Sequence, residues 1–107
     1  MKTEYQQKII DLIREYRNNN ELSQAGLADI LDISYGLVGN IESPKFSQKY
    51  TLKQLYKLSV FFDIPFESIF LKEDECNMNK REVIDLLIKR ITEYDWQTEN
   101  YWWVLSN

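Results

Sequence analysis

Residues 23–42 read Ser23-Gln24-Ala25-Gly26-Leu27-Ala28-Asp29-Ile30-Leu31-Asp32-Ile33-Ser34-Tyr35-Gly36-Leu37-Val38-Gly39-Asn40-Ile41-Glu42. Two serines stand where helices begin, because a serine hydroxyl accepts a hydrogen bond from a free N–H of a helix's first turn. Ser23 predicts a helix over Gln24 to Leu31, with Leu27, Ile30 and Leu31 as its apolar stripe and Ala28 leaving room for close approach. Asp32-Ile33-Ser34 makes a three-residue break. Ser34 then caps a helix over Tyr35 to Glu42 whose inward face is Val38 and Ile41. Two short helices joined in this way are the local pattern of a helix-turn-helix. Plain corners of helical bundles share that pattern.

Working outward, Tyr5, Ile9, Leu12, Ile13 and Tyr16 recur at helical spacing and predict a first helix over residues 4–17, ended by Asn18-Asn19-Asn20. Pro44 stops the Tyr35–Glu42 helix, and residues 45–50 form a polar loop. Thr51 caps a helix over Leu52 to Phe62, with Leu52, Leu55, Leu58, Ser59 and Phe62 facing inward. Pro65 opens a short helix from Phe66 to Phe70. Residues 72–79 are polar and read as a linker. Asn79 caps a last helix, Lys80 to about Tyr94, before a tail holding Trp96, Tyr101, Trp102 and Trp103. The organisation expected is a domain over 1–71, a linker over 72–79, and a C-terminal helix with an aromatic tail over 80–107.

The chain has 107 residues, 44% of them apolar, with three Gly and two Pro, which suits an all-α protein with short connections. No apolar run approaches the roughly 20 residues of a membrane span, and no signal-like segment opens the chain, so a cytoplasmic location is expected. With one cysteine there is no internal disulfide, and with no histidine the commonest general base and metal ligand are missing. No phosphate-binding glycine loop is present. The chain is therefore expected to be no enzyme and to carry no cofactor or metal.

A net charge of −4 argues, taken alone, against nucleic acid. Its distribution does not. Residues 71–107 hold five basic and eight acidic side chains, whereas residues 43–57 hold Lys45, Lys49, Lys53 and Lys57 and no acid. These lysines read either as a phosphate-binding stripe or as a solvated face.

The set Leu22-Ser23-Gln24, Leu27-Ala28, Ile33-Ser34, Val38 and Ile41-Glu42 resembles the XRE family, the phage repressor and Cro helix-turn-helix regulators, over roughly Ile9 to Phe70. The resemblance implies a compact five-helix, lambda-repressor-like domain whose third helix enters the major groove of double-stranded DNA. It also implies a homodimer on a pseudo-palindromic operator. Carried over residue by residue, Tyr35, Gly36, Leu37, Gly39 and Asn40 face the groove, Gln24 contacts phosphate and braces the recognition helix, Ser34 caps that helix at the phosphates, and Arg17 and Glu42 form a buried ion pair that ties the first helix to the third. A solvated Arg17 at a helix end is the alternative. Lys45, Lys49 and Lys53 would flank the groove. A helix that buries Val38 and Ile41 must expose Tyr35, Gly36, Gly39 and Asn40 on geometry alone. Leu37 is either a thymine-methyl contact or core.

The sequence departs from the family at Asp32, where a turn glycine is usual, at Gly26, Gly36 and Gly39 inside helices, and at Pro44, where glycine usually follows the glutamate. Each internal glycine costs about 1 kcal/mol relative to alanine. Gly36 and Gly39 mean either close backbone approach to DNA or fewer bases read. Ile84, Leu87, Ile88 and Ile91, with Trp102 and Trp103, are expected to dimerise the chain or dock a partner, a helix folded back on its own domain being the alternative. A transcriptional regulator, acting as a repressor, is the first expectation. An antitoxin that autoregulates its operon and binds a toxin through the C-terminal tail is the second.

Overall fold

Caps written into the sequence start every α-helix of the structure, a computed structural model that describes residues 1–96. Helix α1 (Glu4–Asn19) opens on a capping box in which Thr3 accepts from the Gln6 N–H and the Gln6 side chain accepts from the Thr3 N–H. It runs two residues past the expected end, and the Asn20 amide closes it by donating to the Tyr16 carbonyl. Ser23 caps α2 (Gln24–Leu31) and Ser34 caps α3 (Tyr35–Glu42), each hydroxyl accepting from the N–H three residues on. Thr51 and Gln54 repeat the capping box at α4 (Leu52–Phe61), and Asn79 caps α5 (Lys80–Tyr94).

Asp32 joins α2 to α3 with φ 55° and ψ 47°, a left-handed conformation that aspartate tolerates better than most residues. Asp63, with φ 57°, is likewise left-handed after α4. The segment expected as a fifth α-helix is a 3-10 turn, Phe66–Ile69, too short to hold an α-helical ladder. Among the described residues the molecule is a compact, all-α domain of five α-helices without strands.

One core serves all five helices. Ile10, Ile13, Leu27, Val38, Tyr50, Leu55, Leu58 and Tyr94 lie in it, completely buried. Each aliphatic side chain so placed contributes about 1.5–3 kcal/mol relative to exposure. Helix α5 belongs to this core: Ile91 and Tyr94 are buried in it and Leu87 packs against it half-buried. Polar contacts fasten the same helix. The Tyr94 hydroxyl donates to the Tyr50 carbonyl at 2.6 Å, and the Gln6 amide donates to the Tyr94 carbonyl at 2.8 Å.

Residues 72–79, expected as a loose linker, contain a 3-10 turn at Glu75–Asn77 pinned to α5. Arg90 grips both oxygens of Glu75, at 3.2 and 2.8 Å, and also donates to the Phe70 carbonyl. Hydrogen bonds from Arg90 and from the Lys72 backbone hold the Glu75 carboxyl below its ordinary pKa of 4.5, and the pair raises that of Arg90. No helix among the described residues is long and apolar enough to cross a membrane.

Candidate nucleic-acid interface

The α2–α3 pair is held to α1 by one carboxylate. Glu42, only 4% exposed at the end of α3, accepts from Arg17 Nε at 2.8 Å and Arg17 Nη2 at 3.0 Å. The third guanidinium nitrogen donates to the Leu22 carbonyl, just ahead of α2. Gln24, the first residue of α2, donates its amide to Glu42 Oε1 at 2.9 Å. Three helices therefore meet at one buried, fully engaged ion pair, whose loss on one side leaves an uncompensated charge. Tyr50 lies fully buried in the same core. Burial, reinforced by the Glu42 charge, pushes the Tyr50 phenol well above its ordinary pKa of 10.

With Val38 and Ile41 inside, α3 turns Tyr35 and Gly36 to solvent and leaves Leu37, Gly39 and Asn40 half-buried. Leu37 packs against the core, so its side chain is not simply a surface group. The side chains of Tyr35 and Asn40 make no hydrogen bond among the described residues. Ser34 spends its oxygen on the cap of α3. Gln24 uses its amide to brace α3 through Glu42, as expected, so that donor is not open to a phosphate.

The four lysines have different surroundings. Lys45, Lys53 and Lys57 are exposed and pair with no carboxylate among the described residues. Lys49 is half-buried with its ammonium 5.5 Å over the Tyr94 ring, a cation–π contact that the sequence does not announce. On the C-terminal helix, Ile91 faces the chain's own core, Leu87 and Ile88 are half-buried, and Ile84 is 48% exposed. Trp102 and Trp103 lie outside the described residues.

Three residues at this site went unread in the sequence. Arg14 approaches Glu42 to 3.7 Å from the exposed side and, with Gln24, Gly39, Ser43 and Pro44, lines a shallow cleft of about 210 Å³ beside α3. Gln7 donates to the Glu42 carbonyl. Lys2 sends its ammonium into the carbonyls at the end of α3. Burial pushes the Lys2 pKa below the ordinary lysine value, partly offset by Asp11. Of these, only Arg14 had a visible signal, its place three residues before Arg17 on α1.

No cluster of three metal-ligating side chains occurs among the described residues. No family model, characterised protein or solved structure matches the chain.

Proposed function

We propose that the chain is a sequence-specific DNA-binding transcriptional regulator, a repressor, that lays α3 in the major groove of double-stranded DNA. The observation that carries this reading is the Arg17–Glu42–Gln24 clamp, which fixes α2 and α3 as one rigid corner while the outer face of α3 keeps its polar groups unspent. Asn40 offers an amide that pairs bidentately with adenine, and Tyr35 reaches a base edge or a phosphate. Lys45 just after α3 and Arg14 beside Glu42 supply positive charge next to α3, and Lys53 on α4 adds to it, against an acidic remainder that discourages indiscriminate binding. The homodimer expected on a pseudo-palindromic operator has an apolar face available on α4, where Tyr56, Val60 and Phe61 are exposed.

Selection of bound sequences from random duplex DNA tests the reading. The expected outcome is a pair of related half-sites about one helical turn apart. A pool that shows no enrichment overturns it. Within an enriched site, Asn40→Ala is expected to cost about 1–3 kcal/mol at one or two base pairs and to leave the others unchanged.

The antitoxin reading draws on a separate observation, the exposure of Met78 and Ile84 at the start of α5 and of Trp96 after it. Co-expression with the product of the adjacent gene distinguishes the two. A stable complex that survives Asn40→Ala but not Ile84→Asp favours the antitoxin.

A further inference from the structure

The C-terminus of α3 lacks the usual means of closing a helix. A glycine in the left-handed conformation commonly ends one by returning N–H groups to the last carbonyls. Here Ser43 is extended, with φ −80° and ψ 131°, as suits the residue before a proline, and Pro44 has no N–H to give. The Ser43 N–H reaches back to the Gly39 carbonyl at 3.1 Å, which satisfies one group. The carbonyls of Asn40, Ile41 and Glu42 need donors from elsewhere.

They find them on the first residues of the chain. Lys2 Nζ lies 2.6 Å from the Ile41 carbonyl, 2.8 Å from that of Ser43, 3.0 Å from that of Gln48 and 3.4 Å from that of Asn40. Gln7 donates to the Glu42 carbonyl at 3.3 Å. An ammonium has three protons, so the three shorter bonds use them all and the fourth is electrostatic. The arrangement also sets a full positive charge at the negative end of the α3 dipole. Because Gln48 lies across the loop from Ile41, the same cation closes the helix and draws the 44–49 loop against it.

We propose that Lys2 is a positioning residue for α3 and its lysine-bearing loop: its ammonium acts as a tethered cation in a cage of backbone carbonyls, and a free primary ammonium ion takes its place when the side chain is removed. A guanidinium, being a planar fork, does not fit convergent carbonyls of this kind. The consequence for DNA rests on the function proposed above; the cage itself does not.

Hydrogen exchange on the full chain without DNA tests the cage. The reporters are the amides of Ser43, Lys45 and Phe46, which bond to the Gly39 carbonyl, the Ser43 hydroxyl and the Ser43 carbonyl. In Lys2→Ala these amides are expected to exchange about tenfold faster, and added methylammonium chloride slows them again. Tetramethylammonium chloride at the same concentration, which has no N–H, does not. Lys2→Met keeps an apolar stem of similar length beside the carbonyls and loses the charge, so it exchanges fast and leaves no room for methylammonium to rescue it. Unchanged exchange in Lys2→Ala, or fast exchange that methylammonium fails to slow, overturns the proposal. Binding to a mixed-sequence DNA duplex is a separate arm. A wild-type chain that does not bind overturns the DNA reading and leaves the cage standing on its exchange result. A wild-type chain that binds no more tightly than Lys2→Ala overturns the positioning role.

Discussion

Helices α2 and α3 have the same length, eight residues, and the same kind of cap, yet their glycines sit in opposite surroundings. A Cβ added at Gly26 in α2 would come within 2.6 Å of Leu22 Cδ1. Among the described residues, one added at Gly36 in α3 would meet nothing within 4 Å, and one at Gly39 would meet Gln24 Oε1, at an ordinary 3.7 Å. The glycine of α2 is accounted for by packing inside the chain. Those of α3 are not, although each costs helix stability. The difference teaches that the glycine of α2 lies against a neighbouring side chain, whereas no described residue crowds the glycines on the outer face of α3.

The largest expected effect breaks the corner that both helices share. Glu42→Ala leaves Arg17 buried and unpaired and is expected to destabilise the fold by about 3–5 kcal/mol in urea denaturation. A loss below about 1 kcal/mol means that the pair is solvated in solution and the two helices are not held as one unit.

Glycine replacements sharpen the comparison directly. Gly36→Ala and Gly39→Ala are each expected to raise stability by about 0.5–1 kcal/mol. Gly26→Ala is expected to gain little or nothing, because Leu22 must move. If the backbone of α3 approaches DNA closely, the same two stabilising variants lose duplex affinity. If they bind as tightly as the wild type, the bare strip on α3 reflects fewer bases read rather than close approach.

Charge provides a smaller effect. Lys45→Ala and Lys53→Ala are each expected to flatten the salt dependence of duplex binding by about 0.9 in log–log slope for every phosphate that is no longer neutralised. Lys49→Ala is expected to flatten it less, since its ammonium already lies over Tyr94. Equal slopes for all three remove the distinction.

The smallest effect concerns the Glu75–Arg90 pair, which touches neither α2 nor α3. The folded-state pKa of Glu75 is depressed below 4.5, so its pairing with Arg90 stabilises fully above that value and is lost as pH falls through the lower, folded pKa. Glu75→Gln is expected to remove a small acid-side step from the stability profile and to leave neutral-pH DNA affinity alone. An acid limb identical in both proteins shows that the pair contributes nothing in solution.

Much of this architecture is readable from local pattern. Ser23, Ser34, Thr51 and Asn79 mark helix starts because capping needs only a side chain and an N–H two or three residues away. The apolar stripe of α5 is equally plain, but periodicity says that a face is apolar without saying what covers it, and Ile91 and Tyr94 turn out to be covered by the chain's own core. The 3-10 turn at Phe66–Ile69 is too short for spacing to tell from an α-helix. At the candidate site, the exposure of Tyr35 and Gly36 follows from burying Val38 and Ile41. The Arg17–Glu42 pairing is legible only through resemblance, because 25 residues separate the partners. The Lys2 cage has no local sign at all. Pro44 announces that a glycine cap is missing, but nothing nearby says which distant donor replaces it.

The bond from Tyr94 back to Tyr50 spans 44 residues, so the core beneath the α2–α3 corner closes late in the chain. A ribosome adding roughly 5–20 residues per second takes about 2–9 seconds to travel from one tyrosine to the other. For that interval the residues of both corner helices have been synthesised, while Ile91 and Tyr94 have not. The core beneath the corner can thus be completed only after α5 has been made.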